Sequence, residues 1–215
     1  MNLALFDLDN TILNGDSDHG WGVYLAEIGA VDAHEHREAQ DEFYRQYVAG
    51  ELDILEFCRY QFKVLCEHSP EQLKLWHNEF MHNIIEPMIA SGKPELVEHH
   101  RALGDELVII TATNDFVAAP IAERLGVPTL IATRAQMVEG RYTGQVEGTP
   151  SFKEGKVARL DEWLDARDDQ FETTYFYSDS YNDLPLLKRV DIPIVVTPDD
   201  RLRSYAKQLD WRIID

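Results

Sequence analysis

From residue 107 onward the chain alternates short apolar runs with helical patterns, and few folds accept that order. Leu107-Val108-Ile109-Ile110 reads as a buried strand, residues 115–125 as a helix, and Thr129-Leu130-Ile131 as a short strand. A second period follows. Residues 154–166 read as a helix, Thr174-Tyr175-Phe176-Tyr177 as a strand, 183–189 as a helix, Ile194-Val195-Val196 as a strand, and 200–209 as a helix. Such alternation predicts an α/β fold with a doubly wound parallel sheet. Residues 137–142, Met-Val-Glu-Gly-Arg-Tyr, give the one antiparallel signal, a tight hairpin.

Near the start, the apolar run Leu3-Ala4-Leu5-Phe6 leads straight into Asp7-Leu8-Asp9-Asn10-Thr11. Residues i and i+2 of an extended segment point the same way, and ligands of open α/β sheets bind beyond the carboxyl ends of strands. Two acids there suit a metal and nucleophile site, although the same residues also end a strand in an ordinary turn. Three other segments bear on that choice. Thr111-Ala112-Thr113-Asn114 leaves a strand and enters a helix, where a hydroxyl and free N–H groups receive phosphate. Glu154-Gly155-Lys156 opens a helix, and Ser178-Asp179-Ser180-Tyr181-Asn182-Asp183 ends a third strand with two acids and an amide. Singly these read as an N-cap, a solvated lysine and a polar turn. Together, each at a strand end or helix start, they form a series that chance rarely produces.

Between the first two segments, residues 15 to about 86 read as helical with no convincing strand. Gly50 closes one helix, Asp53 with Glu56 starts the next, and Ser69-Pro70-Glu71-Gln72 opens a third. Cys58 and Cys66, eight apart in one predicted helix, stand about 12 Å apart along its axis, beyond disulfide reach. Lys plus Arg is 20 against 39 for Asp plus Glu, a net charge of −19. That field repels nucleic acid and anionic membranes, so a phosphate site needs local positive charge from a cation, a lysine or a helix N-terminus. With no long apolar run and no basic leader, the expectation is a cytoplasmic, unprocessed protein. The pairs His34/His36, His77/His82 and His99/His100 lack zinc spacing with a third partner. Trp21 suits either a pocket wall or a packed aromatic.

The four segments resemble, in order, the motifs of the haloacid dehalogenase superfamily: DxDxT, a Ser or Thr after a hydrophobic strand, a Lys, and a D-x-x-x-D loop. The resemblance covers the whole chain and is close to the phosphoserine phosphatase-like branch, including histidinol phosphatases of bacterial type. It implies a Rossmann-like core over 1–14 and 87–215 with a small helical cap over 15–86 inserted between the first and second motifs. It implies Asp7 as nucleophile, forming an aspartyl-phosphate, and Asp9 as general acid and base. Thr111, Ala112, Lys156 and Asn182 would hold phosphoryl oxygens. Asp7, Asp9 through its backbone carbonyl, and Asp179 would bind Mg²⁺, with Asp183 supporting the metal's surroundings.

For the substrate, the resemblance places Asp16 where an acid holds an amino group, and Gln61 where an arginine would hold a carboxylate, with Arg59 nearby. A small amino-alcohol phosphate without a carboxylate, histidinol phosphate above all, is the expectation, and phosphoserine is the alternative. A phosphotransferase or mutase, or a catalytically silent phosphate-binding protein, would share much of the pattern.

Overall fold

A computed structural model describes residues 1–215. Its strands are β1 (Leu3–Phe6), β2 (Glu106–Asn114), β3 (Thr129–Val138), β4 (Arg141–Glu147), β5 (Thr174–Ser178), β6 (Ile192–Val196) and β7 (Arg212–Ile214). They form one sheet in the order β4-β3-β2-β1-β5-β6-β7. Every pairing is parallel except β3 with β4. The centre is β1, with β2 on one side and β5 on the other, so the loops leaving these three strands meet at one carboxyl edge.

The helices are α1 (Ser17–Glu27), α2 (Ala33–Ala49), α3 (Ile54–Glu67), α4 (Pro70–Phe80), α5 (Glu86–Ala90), α6 (Glu95–Leu103), α7 (Asp115–Arg124), α8 (Glu154–Asp165), α9 (Leu184–Leu187) and α10 (Asp200–Gln208). Residues 15–86 hold helices and no strand. Asp53 accepts from the Leu55 and Glu56 amides at the start of α3, Ser69 from the Gln72 amide at the start of α4, and Gly50 ends α2 in the left-handed region. Cys58 and Cys66 both lie on α3 as free thiols. No helix is long and apolar enough to cross a membrane.

Five elements differ from the sequence reading. β2 runs on, still buried, to Asn114, where it pairs with Thr133 of β3, and β3 runs on to Val138 because its exposed far end pairs with β4. The helix expected over 183–189 is a single 3₁₀ turn (Tyr181–Asp183) followed by the four residues of α9. β7 is a three-residue edge strand, too short to show a period. Pro87, just past the stretch read as helical, lies inside a helical run unbroken from Pro70 to Ala90. A π-turn over Met81–Ile85, in which the Glu86 N–H reaches Met81 O, resets the register just before the proline. The chain turns only at Ser91-Gly92.

Alternation along β1 assigns its side chains to two apolar layers. Leu3 and Leu5 join Phe176, Leu160, Leu186 and Val195 on one face, while Ala4 and Phe6 face the other. That second layer also takes in Phe62, Leu65, Leu73 and Phe80, so the helical segment packs on the sheet through a continuous core. Trp21, 3% exposed, is packed against Tyr24, His77, Phe80 and Phe116.

At Gly92 the backbone leaves no room for a side chain, since a Cβ would stand 2.1 Å from Ile12 O and 2.8 Å from Met88 O. Both are backbone atoms and cannot rotate away. Gly92→Ala is therefore expected to destabilise the protein by about 1–3 kcal/mol, as overpacking does. In thermal unfolding that lowers the midpoint by roughly 2–12 °C. A midpoint equal to that of the wild type would show that this turn yields.

Candidate active site

Asp7 is the first residue past β1, and its amide donates to Tyr177 O at 2.9 Å, continuing the ladder to the strand end. Lys156, in the first turn of α8, sends its ammonium across to Asp7 Oδ1 at 2.8 Å and to Asp183 Oδ2 at 2.7 Å. All three side chains are at least nine-tenths buried. Ser178 at the end of β5 donates to the same Asp183 oxygen at 2.7 Å. Burial opposes the charge on Lys156, but Asp183 and Asp7 outweigh it and hold the ammonium above its ordinary range.

The acids outnumber this one cation. Burial pushes Asp7 up to about 7 against the pull of Lys156, with Asp183 and Asp9 adding to the rise. Burial, then Asp7 and Asp183, holds Asp179 well above the carboxylate range. Asp179 takes its one side-chain hydrogen bond from the Thr11 hydroxyl at 3.3 Å.

Asp9 sits in a separate cradle. The Ser17 amide donates to its Oδ1 and the Thr113 hydroxyl to its Oδ2, each at 2.6 Å. Burial and then Asp16 push it up to about 6, against those two donors. Its carboxylate is thus fixed by hydrogen bonds, leaving the backbone carbonyl as the part of Asp9 free to meet a cation. No three acidic, thiol or imidazole side chains converge closely enough to share one ion.

Asp7, Asp9, Asp16, Thr111, Ala112, Lys156, Asp179, Asn182 and Asp183 all line one cavity of about 450 Å³ between the sheet's carboxyl edge and α1, α2 and α3. Asp16 caps α1, accepting from the His19 amide at 2.9 Å, and opens to the cavity. Gln61 is buried behind the wall, its Oε1 accepting from Gln40 at 3.2 Å. Arg59 is exposed and does not border the cavity. Asn182 faces the cavity but its amide donates to Tyr47 O at 3.2 Å, tying the loop to the end of α2. The same helix end is held by Lys153, whose ammonium reaches Gly50 O at 2.6 Å, and by Ser180, whose hydroxyl meets that of Tyr47 at 2.6 Å. His77 and His100 belong to buried structural networks, the first on Val117 O, the second between Asp105 and Tyr177.

Sequence reasoning passed over Thr113, Ser17, Asp18 and Ser178. A signal for Thr113 existed, since it stands two residues beyond Thr111 on an extended strand and shares its side. Asp18 had none: its burial depends on α3 and on Asn114, which donates to its Oδ1 at 3.1 Å.

The profile of the haloacid dehalogenase-like hydrolases matches residues 4–188. The chain belongs to that family. It is 44% identical to a histidinol-phosphatase of Neisseria meningitidis serogroup C (strain 8013), over all of this chain and 98% of that protein. A Bordetella pertussis Tohama I protein of unknown function has a crystal structure that superposes with a TM-score of 0.93, at 45% identity, covering 100% of this chain and 98% of the other. A substrate-bound phosphoserine phosphatase superposes with a TM-score of 0.70 at 18% identity over 99% and 92% of the two chains, a likeness of fold. This family member is a hydrolase of phosphatase type with the family's doubly wound α/β core.

Three cavity carboxyls, Asp7 at about 7, Asp9 at about 6 and Asp18 at about 8, stand above their ordinary 3.8 chiefly through burial. The folded protein therefore binds more protons than the unfolded chain between pH 4 and 8, approximately, and their contribution to stability falls as pH rises through that window. In chelator, the thermal midpoint is expected to drop between about pH 5 and pH 8, and Asp18→Asn to flatten the drop. A midpoint that climbs over this interval would mean the free cavity holds its acids ionised and paired.

Proposed function

We propose that this protein is a Mg²⁺-dependent phosphomonoesterase that works through an aspartyl-phosphate on Asp7, with histidinol phosphate as substrate. One observation carries the choice of substrate: among the residues lining the cavity, Lys156 is the one lysine or arginine. It is already engaged at the floor by Asp7 and Asp183. The remaining wall offers Asp16, Asp18 and Asp41 with Phe43, Tyr44 and Phe57. Such a wall suits a cationic, partly aromatic organic group and leaves a carboxylate without a partner, which is costly when desolvated. The histidinol-phosphatase likeness supports the same reading.

The donor set suits a hard divalent cation. Asp7, Asp179 and the Asp9 carbonyl present oxygen only, and the carboxylates around Lys156 exceed its single charge. Bound there, Mg²⁺ would neutralise the phosphate so that an anionic nucleophile can approach it. Lys156 fixes one Asp7 oxygen and leaves the other to attack phosphorus. As the P–O ester bond breaks, Asp9 gives its proton to the departing alkoxide; a carboxyl near 6, held in place by Thr113 and Ser17, is suited to that role. Asp9 then takes a proton from the water that attacks phosphorus, the P–O bond to Asp7 breaks, and Asp7 is restored. Thr111, the Ala112 amide and Lys156 hold the phosphoryl oxygens. Asn182 acts instead through its bond to Tyr47 O, joining the acidic loop to residues 15–86, which we assign as a cap over the core of 1–14 and 87–215.

Phosphate release should therefore need Mg²⁺, vanish with chelator, and vanish in Asp7→Asn. Asp9→Asn should slow turnover by about 10²- to 10⁴-fold while the protein stays folded. Across small phosphomonoesters, kcat/KM should be highest for histidinol phosphate and lower for phosphoserine. Turnover by pure, undeamidated Asp7→Asn would falsify the covalent route, and a preference for phosphoserine would overturn the substrate.

A further inference from the structure

Asp18 is buried without a counter-ion on the wall of the proposed active cavity. It is 8% exposed, and its partners are amides: Asn114 Nδ2 donates to Oδ1 at 3.1 Å, and Gln61 lies against the carboxyl. Gln61 Nε2 makes no completed hydrogen bond, although Gln61 is itself 8% exposed. Gln40, which borders the cavity, spends its own amide on Gln61 Oε1. An acid met only by neutral amides in a buried wall carries a penalty that folding alone does not explain. A ligand that donates to the acid removes much of it.

Its position relative to the reacting end is set by its neighbours. Ser17 and Thr113 hold Asp9, and the next residue along each element, Asp18 on α1 and Asn114 at the end of β2, are joined by their own hydrogen bond. Asp9, Asp16 and Asp18 thus share one stretch of the cavity wall, Asp16 capping α1 and Asp18 in its first turn. Histidinol phosphate carries three groups for such a wall: the ester oxygen, then the carbon bearing the ammonium, then the imidazole. Phe43 and Phe57, edge to face with ring centroids 5.2 Å apart, line the same cavity.

We propose that Asp18 determines specificity by accepting a hydrogen bond from the imidazole N–H of the substrate, one position beyond the ammonium held by Asp16. This rests on the histidinol phosphate reading and adds a residue to it. Burial, with Asp16 and Asp9 nearby, pushes Asp18 up to about 8, and a hydrogen bond donated by the ring favours the ionised carboxylate, its proton passing to bulk water.

The test compares kcat/KM for histidinol phosphate and phosphoethanolamine, which shares the phosphate and ammonium but has no ring. Asp18→Asn keeps the shape and hydrogen-bonding capacity toward Asn114. It should lower the ratio of the two constants by about 10- to 150-fold, the range for one charge-assisted hydrogen bond. Asp16→Asn should lower both constants and leave the ratio near that of the wild type. Asp18→Ser should repeat the fall in the ratio and keeps the test open if Asp18→Asn does not fold. A wild-type ratio retained in either Asp18 variant overturns this assignment alone. A wild-type enzyme without preference for histidinol phosphate over phosphoethanolamine overturns the substrate reading, and the assignment with it.

Discussion

The ammonium of Lys156 joins parts of the chain that nothing else brings together. It arrives on α8 and binds Asp7 at the end of β1 and Asp183 in the loop beyond β5, residues separated by more than half the sequence. Buried ion pairs are expensive to desolvate, and a close-packed apolar replacement is often as stable. Here the cluster is not neutral: it sums to an excess of negative charge in a place water barely reaches. A protein built for stability alone has no reason to keep that excess, whereas a protein that receives a divalent cation and a phosphate does. In a chain with 39 acids and 20 basic residues, Lys156 is the one lysine or arginine that the cavity presents. Attraction is confined to one floor of one cavity.

Much of the core was legible in the sequence because its signals are local. Buried parallel strands are short apolar runs, their ends are marked by polar residues, and those ends carry the chemistry; β1, β5 and β6 fall where the runs predict. Elements that depend on distant contacts were not legible. The far halves of β2 and β3 exist because they meet α7 and β4, and β7 is held at an edge by β6.

The site divides in the same way. The motif acids announce themselves by spacing, but the cradle of Asp9 needs Ser17 from α1 and Thr113 from β2, two residues ordinary in type and made specific by position. Helical periodicity predicts that Gln61 faces inward, as it does, yet periodicity alone cannot reveal that Asp18 waits opposite it. Arg59, two residues away on α3, turns outward because a helix advances about 100° per residue and two steps carry a side chain to the opposite face.

The unbroken helical run from Pro70 to Ala90 has a mechanical meaning. One of the two covalent connections between the helical segment and the sheet is a rod about 30 Å long at 1.5 Å per residue, while the other is the short stretch around Gly15. A loop would let the segment flap in any direction; a continuous helix seated on the core through Leu73, Phe80 and Ile85 holds its direction, and the π-turn is the one place where its register is reset. The helices that roof the cavity are thus joined to the sheet on this side by a strut and not by a slack linker.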